Sequence, residues 1–131
     1  MKKAIQTKGA PEPVGPYNQA ILVEGWLYCS GQIPLDPTTG EMTGSGEIEK
    51  ETEQVLQNLI SVVKAAGGSK SDIVRTTIFL TDLDNFNKVN KIYSKVFDEI
   101  ISPARACVEV SGLPKGSLVE IDCVAWIGLD A

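Results

Sequence analysis

The segment Leu118–Ile127 alternates so regularly that it admits few folds. Val119, Ile121, Cys123, Ala125 and Ile127 form one uniformly apolar set. The intervening Leu118, Glu120, Asp122, Val124 and Trp126 form a mixed one. Successive side chains of a strand point to opposite faces, so the first set calls for a dry core. The second set is too apolar for free solvent and too charged for a dry interior. Ile73–Leu80 repeats the pattern, with Val74, Thr76, Ile78 and Leu80 set against Arg75, Thr77 and Phe79. A sheet with one dry face and one mixed face is expected, and a mixed face of this kind often meets another subunit.

Two amphipathic helices are available to cover the dry face. Glu47–Ala66 carries Ile48, Val55, Leu56, Leu59, Ile60, Val63 and Ala66, mostly three and four apart. Glu47, Glu49, Glu51 and Glu53 crowd its first half, where the macrodipole favours anions, and Gly67-Gly68 ends it. A second helix, capped by Asp82 or Asp84, carries Phe86, Val89, Tyr93, Val96, Phe97 and Ile100 and ends at Pro103. Gln19–Glu24 and Trp26–Gln32 read as two strands around a tight turn at Gly25. Gly9–Pro16, with its three prolines, reads as an extended connector, and Pro34–Gly46 as a loop. Arg105–Val110 and Leu118–Ile127 read as a hairpin through Gly112-Leu113-Pro114-Lys115-Gly116. The order β-β-α-β-α-β-β predicts an α+β fold, one mixed sheet with both helices on one face. The 131 residues make a single domain, 1–131, without internal repeats.

Composition removes several function classes. The net charge is −5, from 17 acidic and 12 basic residues, and the longest basic run is Lys2-Lys3 at a terminus expected to be mobile. Nucleic-acid affinity rests on clustered Lys and Arg, so no nucleic-acid partner is expected. Cys29, Cys107 and Cys123 are odd in number and form no CxxC, which fits a reducing, cytoplasmic setting and suggests neither a disulfide framework nor a metal site. There is no histidine, so the common general base and the Cys-His pair are both missing. No signal peptide and no apolar run of membrane-spanning length is seen, so no membrane partner is expected.

A few residues could carry chemistry. Arg105 and Cys107 lie two apart on a predicted strand and share a face. Arg can grip a planar carboxylate with two parallel hydrogen bonds; the plainer reading is a surface or interface ion pair, with Glu109 or Glu120 as candidates. Glu120, flanked by inward-pointing Val119 and Ile121, could orient or deprotonate a water, or be a solvated strand residue. Cys107 could be a nucleophile, but no histidine exists to activate it, and cysteine is a common buried apolar residue. Asn90 sits among the apolar residues of the second helix and needs a partner; it could hold a loop. Tyr17, after Gly15-Pro16, is either a lid aromatic or an anchor for the connector. Ser30-Gly31 is either a place where backbone approaches a ligand or a plain bulge.

The motifs Ala10-Pro11, Gly15-Pro16-Tyr17, Ser30-Gly31-Gln32-Ile33-Pro34, Pro103-Ala104-Arg105-Ala106-Cys107-Val108-Glu109-Val110, Leu113-Pro114 and Val119-Glu120-Ile121 together resemble the Rid family of reactive-intermediate deaminases, in its imine-deaminating branch. The match runs in order along nearly the whole chain and includes Asp82-Leu83, Phe86 and Val89-Asn90. The resemblance implies a chorismate mutase-like fold of the small trimeric type, a homotrimer around a β-barrel with clefts between subunits. It implies substrates such as 2-aminoacrylate, its imine tautomer 2-iminopropanoate, and 2-iminobutanoate, hydrolysed to 2-keto acids and ammonia. These imines leak from pyridoxal-dependent serine and threonine dehydratases. By the same resemblance Arg105 binds the substrate carboxylate and Glu120 positions the attacking water. Gly31 and Cys107 line the site with main chain, Tyr17 and Ser30 close it, and Asn90 borders it. No cofactor and no metal are implied, because an imine is already electrophilic at C2.

Two rivals stand beside this expectation. A binding module would hold a 2-keto acid or similar small carboxylate without turnover, needing Arg105 and not Glu120. A ribonuclease or translation inhibitor, activities attributed to relatives, is opposed by the acidic charge and the missing histidine.

Overall fold

Glu24 and Gly25 both adopt positive φ, 50° and 84°. A two-residue reversal of that hand matches the twist of the strands it joins. It folds strand β2 (Ala20–Val23) onto β3 (Trp26–Gln32) as expected from the sequence. The computed structural model describes residues 1–128. Its other elements are β1 (Lys3–Ile5), helix α1 (Ile48–Ala65), β4 (Ile73–Leu80), helix α2 (Phe86–Val96), β5 (Ala104–Glu109) and β6 (Val119–Trp126). The six strands form one mixed sheet in the order β1-β2-β3-β6-β4-β5, antiparallel throughout except for the parallel pair β4–β5.

Three expectations are corrected. Lys3–Ile5 is an ordered edge strand paired with β2, so the sheet has six strands and not five. β5 and β6 do not form a hairpin. A strand, a helix and a strand make a crossover that returns parallel, and α2 accordingly lays β5 beside β4 at the sheet edge. The Gly112-Leu113-Pro114-Lys115-Gly116 signal after β5 holds a one-turn helix, Pro114–Gly116, with Lys115 at φ 56°. Beyond it β6 enters the middle of the sheet between β3 and β4. There Val119 and Ile121 can be fully buried. Val74, finally, is exposed, because the register with β6 slips between Ile73 and Arg75 and turns Val74 out of the core set.

Both helices cover one face. Val55, Leu56, Leu59, Val62 and Val63 of α1 share a core with Leu27, Ile78, Leu80, Val119, Ile121 and Ala125 of the sheet. Val89, Ile92 and Tyr93 extend it under α2. Each such side chain contributes roughly 1.5–3 kcal/mol by leaving water. α1 stops where the glycines require: Gly68 N–H donates to Val63 O and Gly67 N–H to Lys64 O, with Gly67 at φ 97°. Asp82 caps the single turn Leu83–Asn85 that precedes α2, by accepting from the Asp84 N–H at 2.9 Å. Two buried polar side chains of α1 bind the loop before it. Asn58 donates to the carbonyls of Ile33 and Leu35, and Glu51 accepts from the N–H groups of Gly46 and Leu118. The other face of the sheet carries no helix. Trp26 and Trp126 stack there at 4.9 Å beside exposed Tyr28.

Candidate functional site

Arg105 pairs in register with Thr76, which is fully buried beneath α2. Its side chain therefore rises on the helix-bearing face and meets one stripe of α2. Phe86, Asn90 and Tyr93 recur at i, i+4 and i+7, the spacing that lines one side of a helix. The guanidinium carbon lies 5.5 Å from the Phe86 ring centre and 5.0 Å from that of Tyr93. Arg105 Nη1 donates to Asn90 Oδ1 at 2.7 Å. Tyr93 is itself fixed, its hydroxyl 2.7 Å from Thr76 Oγ1 and its ring 4.6 Å from Phe97. Burial pushes the Tyr93 phenol up from its ordinary value, against the Thr76 bond and the Arg105 charge.

Among the described residues no carboxylate pairs with Arg105. Within one chain the plainer reading, an ion pair with Glu109 or Glu120, is therefore not realised among the described residues; a pair across an interface stays open. Glu109 instead accepts from the Leu83 N–H at 2.9 Å. Asn90 holds no loop; it orients the arginine. Cys107 shares Arg105's face and is half-buried; burial pushes its thiol up and the nearby guanidinium pulls it back only in part. A thiol raised in this way is a poor nucleophile.

Glu120 occupies the opposite face. Its strand neighbours Val119 and Ile121 are buried under the helices, and its register partner is Phe79. Ser30 and Gly31 together stand against the single residue Asp122, which makes a bulge in β3. The bulge brings the Gly31 Cα against the Glu120 carboxylate so closely that a Cβ there would collide with it. Gly31 is thus part of a bulge, and what its Cα approaches is the Glu120 carboxylate. Burial, and secondarily the Asp122 charge, raise the Glu120 carboxyl above the ordinary carboxylate range. Asp122 is raised too, mainly by burial, with Thr77 and Arg75 opposing.

The connector lies beside this second group. Ser30 Oγ donates to Asn18 O at 2.6 Å and its N–H to Gln19 O at 2.9 Å, so Ser30 pins the end of the connector. Tyr17 is half exposed, and its hydroxyl accepts from the Val14 N–H at 3.3 Å. A small cleft runs between Pro11, Pro13, Val14 and Tyr17 on one side and Gly31 and Ile33 on the other.

The chain therefore gathers its candidate residues into two half-sites. Arg105, Asn90 and Cys107 lie on the helix-bearing face. Glu120, Gly31, Ser30 and Tyr17 lie at the open face. One half can bind a carboxylate and the other can hold a water, and among the described residues of one chain the two lie on opposite faces of the sheet. Tyr93 belongs to the core as its helical position predicts, whereas Phe86 is exposed; their spacing around Asn90 is the signal that both stack on Arg105.

The family model described as Endoribonuclease L-PSP matches residues 7–127. The chain belongs to that family, the Rid family. Among its relatives is the human 2-iminobutanoate/2-iminopropanoate deaminase, 44% identical over 128 residues that cover 98% of this chain and 92% of that one. A Rid family protein of Yersinia pestis, described as of unknown function, superposes with a TM-score of 0.93 at 51% identity, covering 97% of this chain and all of that one. The Escherichia coli protein TdcF, solved with bound serine, gives a TM-score of 0.90 at 39% identity, covering 95% and 98%. The Rid family thus contains a named imine deaminase and a member that holds a small amino acid. No helix among the described residues is long and apolar enough to cross a membrane.

Proposed function

We propose that this protein hydrolyses 2-imino acids of the 2-iminopropanoate and 2-iminobutanoate type to 2-keto acids and ammonia, at sites completed between two copies of the chain. The observation that carries this reading is the Arg105 guanidinium. It is stacked on two rings, aimed by Asn90 and, among the described residues, left without a carboxylate of its own. A planar fork held in this way suits a bidentate carboxylate. A second copy presents Glu120 across the cleft, and a homotrimer with three such sites around a β-barrel follows the family pattern.

With its carboxylate on Arg105, the substrate turns C2 toward a water held by Glu120. The water oxygen bonds to C2 and its proton passes to the Glu120 carboxylate. That proton is returned to the nitrogen as the C=N π pair moves there, giving a carbinolamine. The Glu120 carboxylate then carries the hydroxyl proton to the same nitrogen. The C–N bond breaks with its electron pair on nitrogen, and ammonia leaves as the carbonyl forms. A carboxyl with a raised pKa accepts and returns a proton more readily near neutral pH than an ordinary one. Holding the reactants in place supplies much of the acceleration, since the imine carbon is already electrophilic. The water is the nucleophile, and no covalent bond to the protein forms.

The test couples the protein to a pyridoxal-dependent dehydratase that generates the imines and follows imine decay. Decay faster than the spontaneous rate, with a native mass of three chains, is expected. Decay at the spontaneous rate together with tight 2-keto acid binding would establish the carboxylate-binding module, for which the bound serine of TdcF speaks. A monomer at micromolar concentration would remove the shared site.

A further inference from the structure

Gln19 is the most fully used polar side chain of the molecule, and neither half-site includes it. It is 3% exposed. Its Nε2 faces the carbonyls of Thr7 at 3.0 Å, Ala10 at 3.2 Å and Pro11 at 2.9 Å, and its Oε1 accepts from the Thr7 N–H at 2.7 Å. An amide nitrogen has two hydrogens, so three acceptors share two donors. All four contacts go to one stretch of chain. That stretch leads into the strap 10–17, which holds Pro11, Pro13 and Pro16. Prolines lack the N–H that a strand ladder needs, so the strap cannot be secured by joining the sheet. It is secured at one end by Gln19 and at the other by Ser30, which donates to Asn18 O. Between these points it forms the outer wall of the cleft that faces Gly31, and it carries Tyr17.

We propose that Gln19 is a positioning residue: its amide clasps the strap against β3 and so sets where Tyr17 and the cleft wall stand relative to Gly31 and Glu120. It touches no reacting group. Its kinetic consequence rests on the deaminase reading above; its structural consequence does not. Loosening the clasp leaves Arg105 and Glu120 in place but lets the wall of the cleft move. Substrate capture then suffers more than chemistry.

Gln19→Leu keeps the volume and deletes all four bonds. KM is expected to rise about tenfold, the equivalent of one or two ordinary hydrogen bonds lost from the closed strap, with kcat within about twofold of wild type. Amide exchange at residues 7–17 should speed up while the helices stay protected. Gln19→Glu keeps the Thr7 N–H bond and points a carboxylate at three carbonyls. Its KM should be raised at neutral pH and fall toward the wild-type value as the pH is lowered and the carboxyl regains a proton to donate. That pH signature separates positioning from a general loss of fold, and it is available even if Gln19→Leu does not fold. Unchanged exchange in 7–17, a kcat loss at constant KM, or a Gln19→Glu KM that tracks wild type at every pH would overturn the clasp. Exchange is read without turnover, so an inactive wild-type protein would sink the deaminase reading and leave the clasp to be decided by exchange alone.

Discussion

The two faces of the sheet treat their charged residues in opposite ways. On the helix-bearing face Arg105 is held by three side chains of one α2 stripe, two rings and an amide oxygen. On the open face Glu120 rests against the bare Cα of Gly31, with its carboxyl raised by burial and by Asp122. The group that would orient a substrate is fixed in advance. The group that would exchange protons is left free to do so. Arg105 loses little rotamer freedom on binding because α2 has already taken it, and Glu120 owes its altered basicity to burial without a fixed partner.

The sharpest break in this comparison is Glu120→Gln. Gln keeps the shape but takes no proton, so turnover should fall by roughly 10²–10⁴-fold while 2-keto acid binding persists. The wild-type rate should rise with pH through a pKa above the ordinary carboxylate range, because the base acts deprotonated. The variant should lose that limb in a pH–rate profile. Stability carries the opposite sign. A carboxyl whose folded pKa is raised binds its proton more tightly in the folded state, so its stabilisation is present at low pH and lost as pH climbs through the raised value. Melts across that window should show the loss in wild type and a flatter profile in the variant. Unchanged turnover in Glu120→Gln would favour the binding module.

The next effect comes from mixing. Arg105 and Glu120 sit on opposite faces of one chain, so a shared site takes one from each of two copies. Co-refolding equal amounts of Arg105→Lys and Glu120→Gln chains should restore about a quarter of wild-type turnover in a cyclic trimer, since each site draws one intact half at random from each side. Activity of the mixture no higher than the mean of its parents would place both residues in separate roles.

Arg105→Lys alone sharpens the other half. The charge stays but the fork is lost. Affinity for the carboxylate should fall by ~10- to 150-fold, the worth of a charge-assisted hydrogen bond, and turnover should fall with it. Sizing and melting should change little, because Arg105 lies at the margin of the core. Near-normal hydrolysis would show that Arg105 does not anchor the substrate. The smallest effect is expected from Cys107→Ser, whose thiol is raised by burial and has no role in the proposed hydrolysis. Most of the activity should survive, and an isolated covalent adduct on Cys107 in the wild-type protein would overturn the non-covalent scheme.

Periodicity was sufficient to place α1, the start of α2 and the five longer strands, because each buries one face and its side chains recur at the matching interval; α2 ends at Val96, short of the expected Ile100. It could not order them. The alternation of Arg105–Val110 and Leu118–Ile127 is equally compatible with a hairpin and with separate slots, and only packing puts β6 in the centre. Lys3–Ile5 was missed because three residues are too few to show alternation. At the site, residue type and family resemblance pointed to Arg105 and Glu120. The rings stacked on Arg105 were hidden by their own hydrophobicity, since Phe86 and Tyr93 read as core. The clasp by Gln19 depends on contacts between a strand end and a proline-rich connector, and no local pattern encodes those.

The closeness of Gly31 to Glu120 gives this scaffold an uncommon mutational geometry. Gly31 does not lie among the positive-φ residues, so its backbone would accept a side chain without strain. The obstacle is the Glu120 carboxylate, and it sits at the end of a flexible side chain. A single added methyl would therefore displace the Glu120 carboxylate and leave the arginine on the other face undisturbed. Under the proposed hydrolysis, Gly31→Ala would then part turnover from recognition: a receptor for the carboxylate would remain where the catalyst had been, one codon away.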